Sequence, residues 1–249
     1  MNKIIKEKIK QFITLLVIII AFLIVIVVMF KYENEGEKNM PFYVDQVMLV
    51  SSADMTNKSE NPNNSKWNVD INQYNDIYIN IEKNKDNKEL NYIESVCIEN
   101  IKFTNPNKGT VYVYIPNDTE EKLFDYEEKF RINDKLVYKG SDNSDVKKLE
   151  ISNQGGMVLF RIVNKNISEF VSNENLELNI DGKLLEKTGI NYDDVKFKVS
   201  FDLIINTKTS KYKSNINIDL PSGDIANEGV SKQTIDGKTN IVFKRENTW

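Results

Sequence analysis

The stretch VKFKVSFDLII, residues 195–205, decides how the folded part of this chain is built. Apolar residues occupy every odd-numbered position, whereas Lys196, Lys198, Ser200 and Asp202 occupy even-numbered ones. Because successive side chains of a β-strand point to opposite faces, this alternation predicts a strand with one face on a core and the other in water.

The two-residue period continues on both sides of that stretch. Apolar residues alternate again over 212–220, after a polar turn, which predicts an antiparallel hairpin. The apolar phase changes near Glu99 and Asn100, which predicts a bulge in a strand over 92–103. Further strands are predicted at 77–81, 111–115, 130–138, 156–163 (a central strand) and 241–243, with a hairpin over 176–185 around Asp181 and Gly182. Short helical turns are expected at 118–129 and 167–171.

These strands predict one all-β domain over residues 41–249. Half-buried strands separated by turns are typical of two sheets packed face to face, so we expect an antiparallel β-sandwich, with a barrel as the alternative. A polar interruption at 140–148 marks where two subdomains would divide. The domain is long enough to bury a sizeable core.

A second feature, at the N-terminus, predicts where the domain is held. Residues 12–30 read FITLLVIIIAFLIVIVVMF, with no charge, Gly or Pro. As a helix at about 1.5 Å per residue this run spans roughly 28 Å, close to the ~30 Å hydrocarbon core of a bilayer. We therefore expect a single-pass transmembrane helix at 12–30, followed by a charged, weakly structured stalk at 31–40.

The flanks of this run predict its orientation. Residues 1–11 carry four lysines and one glutamate, a basic tail that the positive-inside rule keeps in the cytoplasm. The β domain would then be extracytoplasmic. A cleaved signal peptide is the alternative, but its apolar region is shorter and ends in small residues, whereas this run ends at Met29 and Phe30.

The composition indicates which partners the domain can bind and which kind of organism it comes from. Removing residues 1–30 leaves 29 of the 33 basic and 36 of the 37 acidic residues, a net charge of −7. No nucleic-acid partner is expected, because such partners require clustered Lys and Arg. Heavy use of Asn, Lys and Ile with scarce Ala and Gly is typical of an AT-rich bacterial genome, which places the domain in a bacterial cell envelope.

The chain contains no histidine. Ser-His-Asp hydrolases, Cys-His peptidases and sortase-type transpeptidases need an imidazole to move protons near neutral pH, so these classes are excluded. The single cysteine, Cys97, forms no intramolecular disulfide and cannot complete a zinc site alone; we expect it to be a small buried hydrophobe. No glycine-rich phosphate loop is present, and we expect no cofactor.

Two weaker signals involve acidic residues. Adjacent acids at 120–121, 127–128 and 193–194 could serve a carboxylate-dependent glycan-cleaving enzyme, which needs two carboxyl groups ~5–9.5 Å apart, although solvation explains such pairs better. The loop 141–145 offers oxygen ligands for calcium but lacks EF-hand spacing, so we expect a polar turn and no metal.

Aromatic residues give the last signal. Tyr112 and Tyr114 alternate with Val111 and Val113, so one face of that strand is tyrosine and the other aliphatic. If the aliphatic face is core, the tyrosines form an outward amphipathic patch suited to a partner.

The sequence therefore predicts a membrane-anchored binding module of the cell envelope, whose partner is another envelope protein or a cell-wall glycan. Trp67, Trp249 and the eleven tyrosines provide flat rings on which sugars can stack. A carboxylate-dependent glycan-cleaving enzyme and a structural subunit of a membrane complex remain as alternatives. No individual catalytic, cofactor-binding or metal-binding residue is singled out.

Overall fold

The computed structural model describes residues 3–58, 68–88, 90–114, 135–140, 149–171 and 184–246. Within them a long N-terminal helix precedes a domain of mostly antiparallel strands. Features predicted at Trp67, 115–134, 141–148, 172–183 and Trp249 lie outside the described residues.

The described strands form two sheets. Sheet A contains β1 (Phe42–Asn57), β2 (Asn68–Lys83), β4 (Thr110–Tyr114), β7 (Gly155–Val171) and β10 (Val230–Asp236). Sheet B contains β3 (Ile93–Phe103), β5 (Leu136–Gly140), β6 (Glu150–Ile151), β8 (Phe197–Thr207), β9 (Lys211–Leu220) and β11 (Lys244–Glu246). The strand orders are β10-β1-β2-β7-β4 and β11-β9-β8-β3-β5-β6, and the short pairing of β5 with β6 is parallel.

The alternating stretch around residue 200 forms the predicted hairpin. β8 and β9 pair antiparallel, with Phe197 opposite Leu220 and Ile205 opposite Tyr212. The odd-numbered residues of β8 are buried, as the period of two requires. The strand begins two residues later than predicted, because Val195 ends the short helix α3 (Tyr192–Val195), which a capping box at Asn191 starts.

Other predicted strands are present with the expected irregularities. Residues 77–81 lie within β2, and 156–163 lie within β7, which is an interior strand of sheet A. The pairing of β3 with β8 shifts register between Glu99 and Lys102, where Asn100 adopts a φ of +54°. The bulge predicted from the change of apolar phase is therefore confirmed.

The two sheets share one main hydrophobic core, an arrangement compatible with a β-sandwich. The ring of Phe160 from sheet A meets that of Phe201 from sheet B edge to face, with centroids 5.2 Å apart. The hydroxyl of Tyr138 on β5 donates a hydrogen bond to the carbonyl of Leu159 on β7, which also joins the two sheets. These contacts lie within a single cluster of buried side chains drawn from both sheets.

A second, smaller cluster packs beneath short helices at one end of the domain. Ile71 of β2 belongs to this cluster, whereas Ile77 of the same strand belongs to the main core. The fully buried polar residues Gln73 and Asn75 lie between them along β2, and Asn75 accepts hydrogen bonds from Gln73 and from Ser51. The helices that contribute to this cluster are α2 (Leu184–Lys187), α3 and α4 (Ile225–Glu228).

Three local predictions are wrong. Residues 167–171 are not helical, because β7 continues to Val171 and pairs there with the start of β2 after a bulge at Asn166 (φ +57°). Residues 184–185, expected in a strand, begin α2, and Leu185 is fully buried in the second cluster. Residues 241–243 form no strand; β11 follows them, and Phe243 turns into the main core after helix α5 (Gly237–Asn240).

The N-terminal helix, α1 (Lys3–Glu35), is longer than the apolar run that it contains. Its described part is long and apolar enough to cross a membrane, and the side chains of the apolar run are largely exposed, with Phe12 at 66% and Phe30 at 67%. The first half of the expected stalk is therefore helical. The helix ends at Gly36, whose φ of +68° suits a glycine C-cap.

Candidate functional site

The outward side of β4 carries the two tyrosines that the sequence indicates. Val111 and Val113 are 8% and 4% exposed and belong to the main core, whereas Tyr112 is 38% exposed. The aliphatic side of β4 is therefore core, and Tyr112 and Tyr114 point outward from sheet A as predicted. Their ring centroids lie 6.4 Å apart, with the planes at 54°.

Two further tyrosines join this surface through β7. Val163 of β7 lies opposite Tyr112 of β4 on one side and opposite Tyr74 of β2 on the other. Tyr78 lies four residues further along β2 and therefore on the same face. The outward side chains that we call the tyrosine face are Tyr74, Asp76, Tyr78, Tyr112, Tyr114, Arg161 and Lys165.

A buried ion pair occupies the middle of the tyrosine face. Arg161 lies opposite Tyr114 and Asp76, and its Nε and Nη2 donate to the two carboxylate oxygens of Asp76 at 2.5 and 2.7 Å. The two side chains are 13% and 9% exposed. The guanidinium carbon lies 5.1 Å from the ring centroid of Tyr74, within cation–π range. This bidentate geometry holds Arg161, and through it the ring of Tyr74, in one orientation.

The tyrosine face also contains Lys165 and a tyrosine, Tyr78, whose pKa is raised. Lys165 Nζ lies 5.0 Å from the ring centroid of Tyr112 and 4.8 Å from that of Tyr114. Burial, aided by the carboxylate of Asp76, raises the pKa of Tyr78 to about 12. The Tyr78 hydroxyl therefore stays protonated at neutral pH and remains a hydrogen-bond donor. The rings, the hydroxyls and the charge of Lys165 suit a flat, polar ligand.

Sequence reasoning found only part of this face. The alternation over 77–81 already placed Tyr78 on the side opposite the isoleucines, but it did not show which strand lies beside β2. Tyr74, Arg161 and Lys165 join Tyr112 only because β7, which follows β4 in sequence, inserts between β2 and β4.

A shallow basin of about 570 Å³ gathers the acidic pair predicted at 193–194. Asp194 closes the capping box of α3, and Asp224 accepts hydrogen bonds from two backbone N–H groups at the start of α4. Asp193 lies 2.6 Å from Lys196 in an exposed ion pair. Helix capping and solvation therefore account for these carboxylates.

The most buried pair of facing carboxylates in the described part of the chain lies on the outward side of sheet B. Glu99 and Asp202 are opposite each other on β3 and β8, and they are 9% and 7% exposed. Lys135 lies 2.5 Å from Glu99, and Lys213 lies 3.0 Å from Asp202. Burial alone would raise the pKa of Asp202, but hydrogen bonds from two amide side chains and from Lys213 outweigh it, and this pKa lies below its usual value. A glycosidase needs one carboxyl group with a raised pKa, so Asp202 does not suit the role of the acid.

Cys97 is half-buried on the outward side of sheet B, so the expectation of a buried residue is wrong. The alternation of β3 turns Val96 and Ile98 into the core, which leaves Cys97 facing outward with Asn206 Nδ2 3.6 Å from its sulfur. Partial burial raises the pKa of the Cys97 thiol, so the reactive thiolate is disfavoured. Among the described residues, no three His, Cys, Asp or Glu side chains are grouped so that they could hold a metal ion.

No protein-family model matches the chain, and comparisons with curated protein sequences and with solved structures return no similar protein.

Proposed function

We propose that this chain is a single-pass membrane protein of the bacterial cell envelope whose extracytoplasmic β-sandwich binds a cell-wall glycan. The observation that carries the proposal is the tyrosine face, an outward surface on which four aromatic rings surround two cations. Such a surface offers stacking, hydrogen bonding and charge at once, and it uses no residue that transfers protons near neutral pH.

The helix α1 supports the membrane part of the proposal. A water-soluble protein rarely exposes a continuous apolar surface of this length, whereas lipid tails would cover it. The lysines of residues 1–11 support a cytoplasmic N-terminus by the positive-inside rule.

The composition of the face favours a glycan over a protein partner. The cores of protein interfaces are enriched in Tyr and Arg but depleted in Lys and Asp. Here the row through the middle of the face is Tyr114, Arg161 and Asp76, and Lys165 lies over the outer rings. Sugars with acidic substituents would use the rings together with the charge of Lys165.

The orientation is tested by protease treatment of intact protoplasts that produce the full chain with a C-terminal epitope. We expect the epitope to be lost before lysis. An epitope that survives until the cells are lysed would place the domain in the cytoplasm and contradict the proposal.

Glycan binding is tested by co-sedimentation of the detergent-solubilised full chain with purified cell-wall sacculi. We expect the double variant Tyr112→Ala/Tyr114→Ala to bind roughly tenfold more weakly, since stacking is worth about 0.5–1.5 kcal/mol per ring. The control is Tyr192→Ala on α3, outside sheet A, which should bind like the unmodified protein. Equal binding by all three proteins, or capture of an envelope protein without any binding to sacculi, would contradict the glycan proposal.

A further inference from the structure

The end of α1 is attached directly to the last described strand. The N–H of Gly36 donates to the carbonyl of Tyr32 at 2.8 Å, which closes the helix, and the next N–H, that of Glu37, donates to the carbonyl of Phe243 at 2.8 Å. The chain therefore passes from the helix into a backbone contact with a segment 206 positions later in the sequence (37 to 243). We call the contacts of residues 32–37 with residues 242–245 the helix joint.

Side chains reinforce the helix joint. The backbone N–H of Arg245 donates to the hydroxyl of Tyr32 at 2.9 Å, and Lys244 forms an ion pair with Glu33. A Cβ at position 36 would lie 2.3 Å from the carbonyl oxygen of Phe243 and 2.6 Å from a methyl group of Val242. Only glycine allows this close approach, so the joint depends on Gly36 twice, for its φ and for its lack of a side chain.

The helix joint continues into the main core on both sides. Phe243 is 5% exposed, and Met40 and Phe42, which follow the joint at the N-terminal end, are 6% and 0% exposed. All three belong to the main cluster of buried residues. The segment expected to be a free stalk is therefore packed against the domain, and the helix and the domain are joined by two buried chain segments.

The number of helical residues after the apolar run determines how far the helix joint lies from the hydrocarbon core of the bilayer. Glu35 lies five positions after Phe30, which corresponds to roughly 7.5 Å along the helix. The polar headgroup regions add about 5–8 Å on each side of the hydrocarbon core. We infer, on the basis of the membrane anchor proposed above, that residues 242–245 lie within the phospholipid headgroup layer, so that this end of the domain uses the lipid surface as an interaction partner.

Charge does not account for this placement. The charges around the joint cancel: the basic residues are Lys31, Lys38, Lys244 and Arg245, and the acidic residues are Glu33, Glu35, Glu37 and Glu246. The net charge of −7 after residue 30 opposes approach to an anionic membrane. The joint, rather than electrostatic attraction, holds the domain at the surface, and the placement is the same on zwitterionic and anionic lipid.

The chain allows a clean test because Cys97 is its only cysteine. In a Cys97→Ser background, a fluorophore is attached at Val242→Cys, which is 36% exposed at the edge of the joint, or at Thr56→Cys, an exposed position at the far end of β1. Position 56 is roughly 45 Å along the strand from Phe42. The full-length protein is reconstituted into phosphatidylcholine vesicles containing a headgroup-linked quencher.

We expect quenching about threefold stronger at position 242 than at position 56, because the two sites differ in distance from the joint by most of the length of a strand. Equal quenching in protein that floats with the vesicles would overturn the inference while leaving the anchor intact. Protein that does not float would contradict the anchor itself, so the two failures are distinguishable.

Variants of the joint test whether its contacts hold this end of the domain at the lipid surface. Gly36→Val should reduce quenching at position 242 to the level at position 56, and unchanged quenching would overturn the role of the joint. Because that variant affects the backbone, Glu33→Lys and Lys244→Glu provide a second test: each alone should lower the quenching, and the double exchange should restore it. Quenching that requires phosphatidylglycerol in the vesicles would show electrostatic attraction and contradict the joint.

Discussion

The two sheets present different chemistry on their outward sides. On sheet B, acids and lysines pair with one another: Lys135–Glu99 at 2.5 Å, and the linked pairs Lys213–Asp202 at 3.0 Å, Lys213–Glu246 at 3.6 Å and Lys211–Glu246 at 2.5 Å. We call these six side chains the charged face. Three acids meet three lysines, so the charges balance within the chain.

The tyrosine face of sheet A includes the ion pair of Arg161 with Asp76, but its outer part consists of rings beside a lysine. The ammonium of Lys165 lies within cation–π range of the rings of Tyr112 and Tyr114, and Tyr112 is 38% exposed. The comparison shows that charge on a sheet surface does not by itself indicate a binding site. A face whose charges are paired with one another contributes to stability, whereas exposed amphipathic rings are the feature on which the proposed binding rests.

The largest effect is expected from the ion pair of Arg161 and Asp76, which we expect to contribute both to stability and to binding. Arg161→Ala leaves the buried carboxylate of Asp76 without its bidentate partner, and we expect the free energy of unfolding to fall by about 4 kcal/mol. Binding to sacculi should also weaken, because the ring of Tyr74 loses its cation. Urea denaturation and co-sedimentation measure the two effects, with the exposed Lys232→Ala on β10 as the control. Weakened stability with full binding would contradict the assignment of Arg161 to the binding surface.

On the charged face we expect the second largest effect, and on stability alone. Asp202→Ala removes the partner of Lys213 and of two amide side chains, which should cost about 3 kcal/mol. The control is Asp219→Ala, whose ion pair with Lys198 is 3.8 Å long and mostly exposed, and which should change stability by less than about 0.5 kcal/mol. A loss of sacculus binding in the folded Asp202→Ala protein would show that the charged face also serves recognition.

Acid should weaken the ion pairs of the charged face. The pKa of Asp202 lies below its usual value for the reasons given above, and that of Glu246 is lowered mainly by Lys211. The stabilisation from both groups is complete above the unfolded pKa values of about 4 and is lost as the pH falls through the folded values. We expect unfolding free energy to decline below about pH 4, by about 1 kcal/mol for such a partly exposed set of pairs. Asp202→Asn should show a shallower decline, and parallel curves would contradict this assignment.

The smallest effect concerns the outer cation of the tyrosine face. Lys165→Gln removes a positive charge that lies about 5 Å from two tyrosine rings, and we expect stability to fall by about 0.5 kcal/mol. Binding to sacculi should weaken about twofold and should lose part of its salt dependence. The matched control is Lys232→Gln on the same sheet. Identical binding and salt dependence in the two variants would remove Lys165 from the proposed surface.

Many of the strands could be predicted, because apolar and polar residues alternate along a strand that is buried on one face only. The hairpin of β8 and β9 and the bulge near Asn100 follow from that local pattern. The predictions failed where tertiary contacts overrode it. Leu185 lies in a helix, where its side chain is buried in the second cluster. Phe243 lies outside any strand, where its ring is buried in the main core. The candidate site was half predictable, since each strand showed which residues point outward but not which strands are neighbours.

By itself, the sequence determined an apolar helix long enough to cross a bilayer, a β-rich domain and the absence of histidine chemistry. These follow from composition, from the length of an uninterrupted apolar run and from a period of two residues, which are properties of a chain segment and need no tertiary contact. Only the tertiary structure decided that β7 inserts between β2 and β4, that Glu99 and Asp202 face each other, and that α1 meets β11. Each of these depends on contacts between residues more than 40 positions apart, and the reason they form is the burial of apolar surface shared by whole sheets, which no single segment encodes.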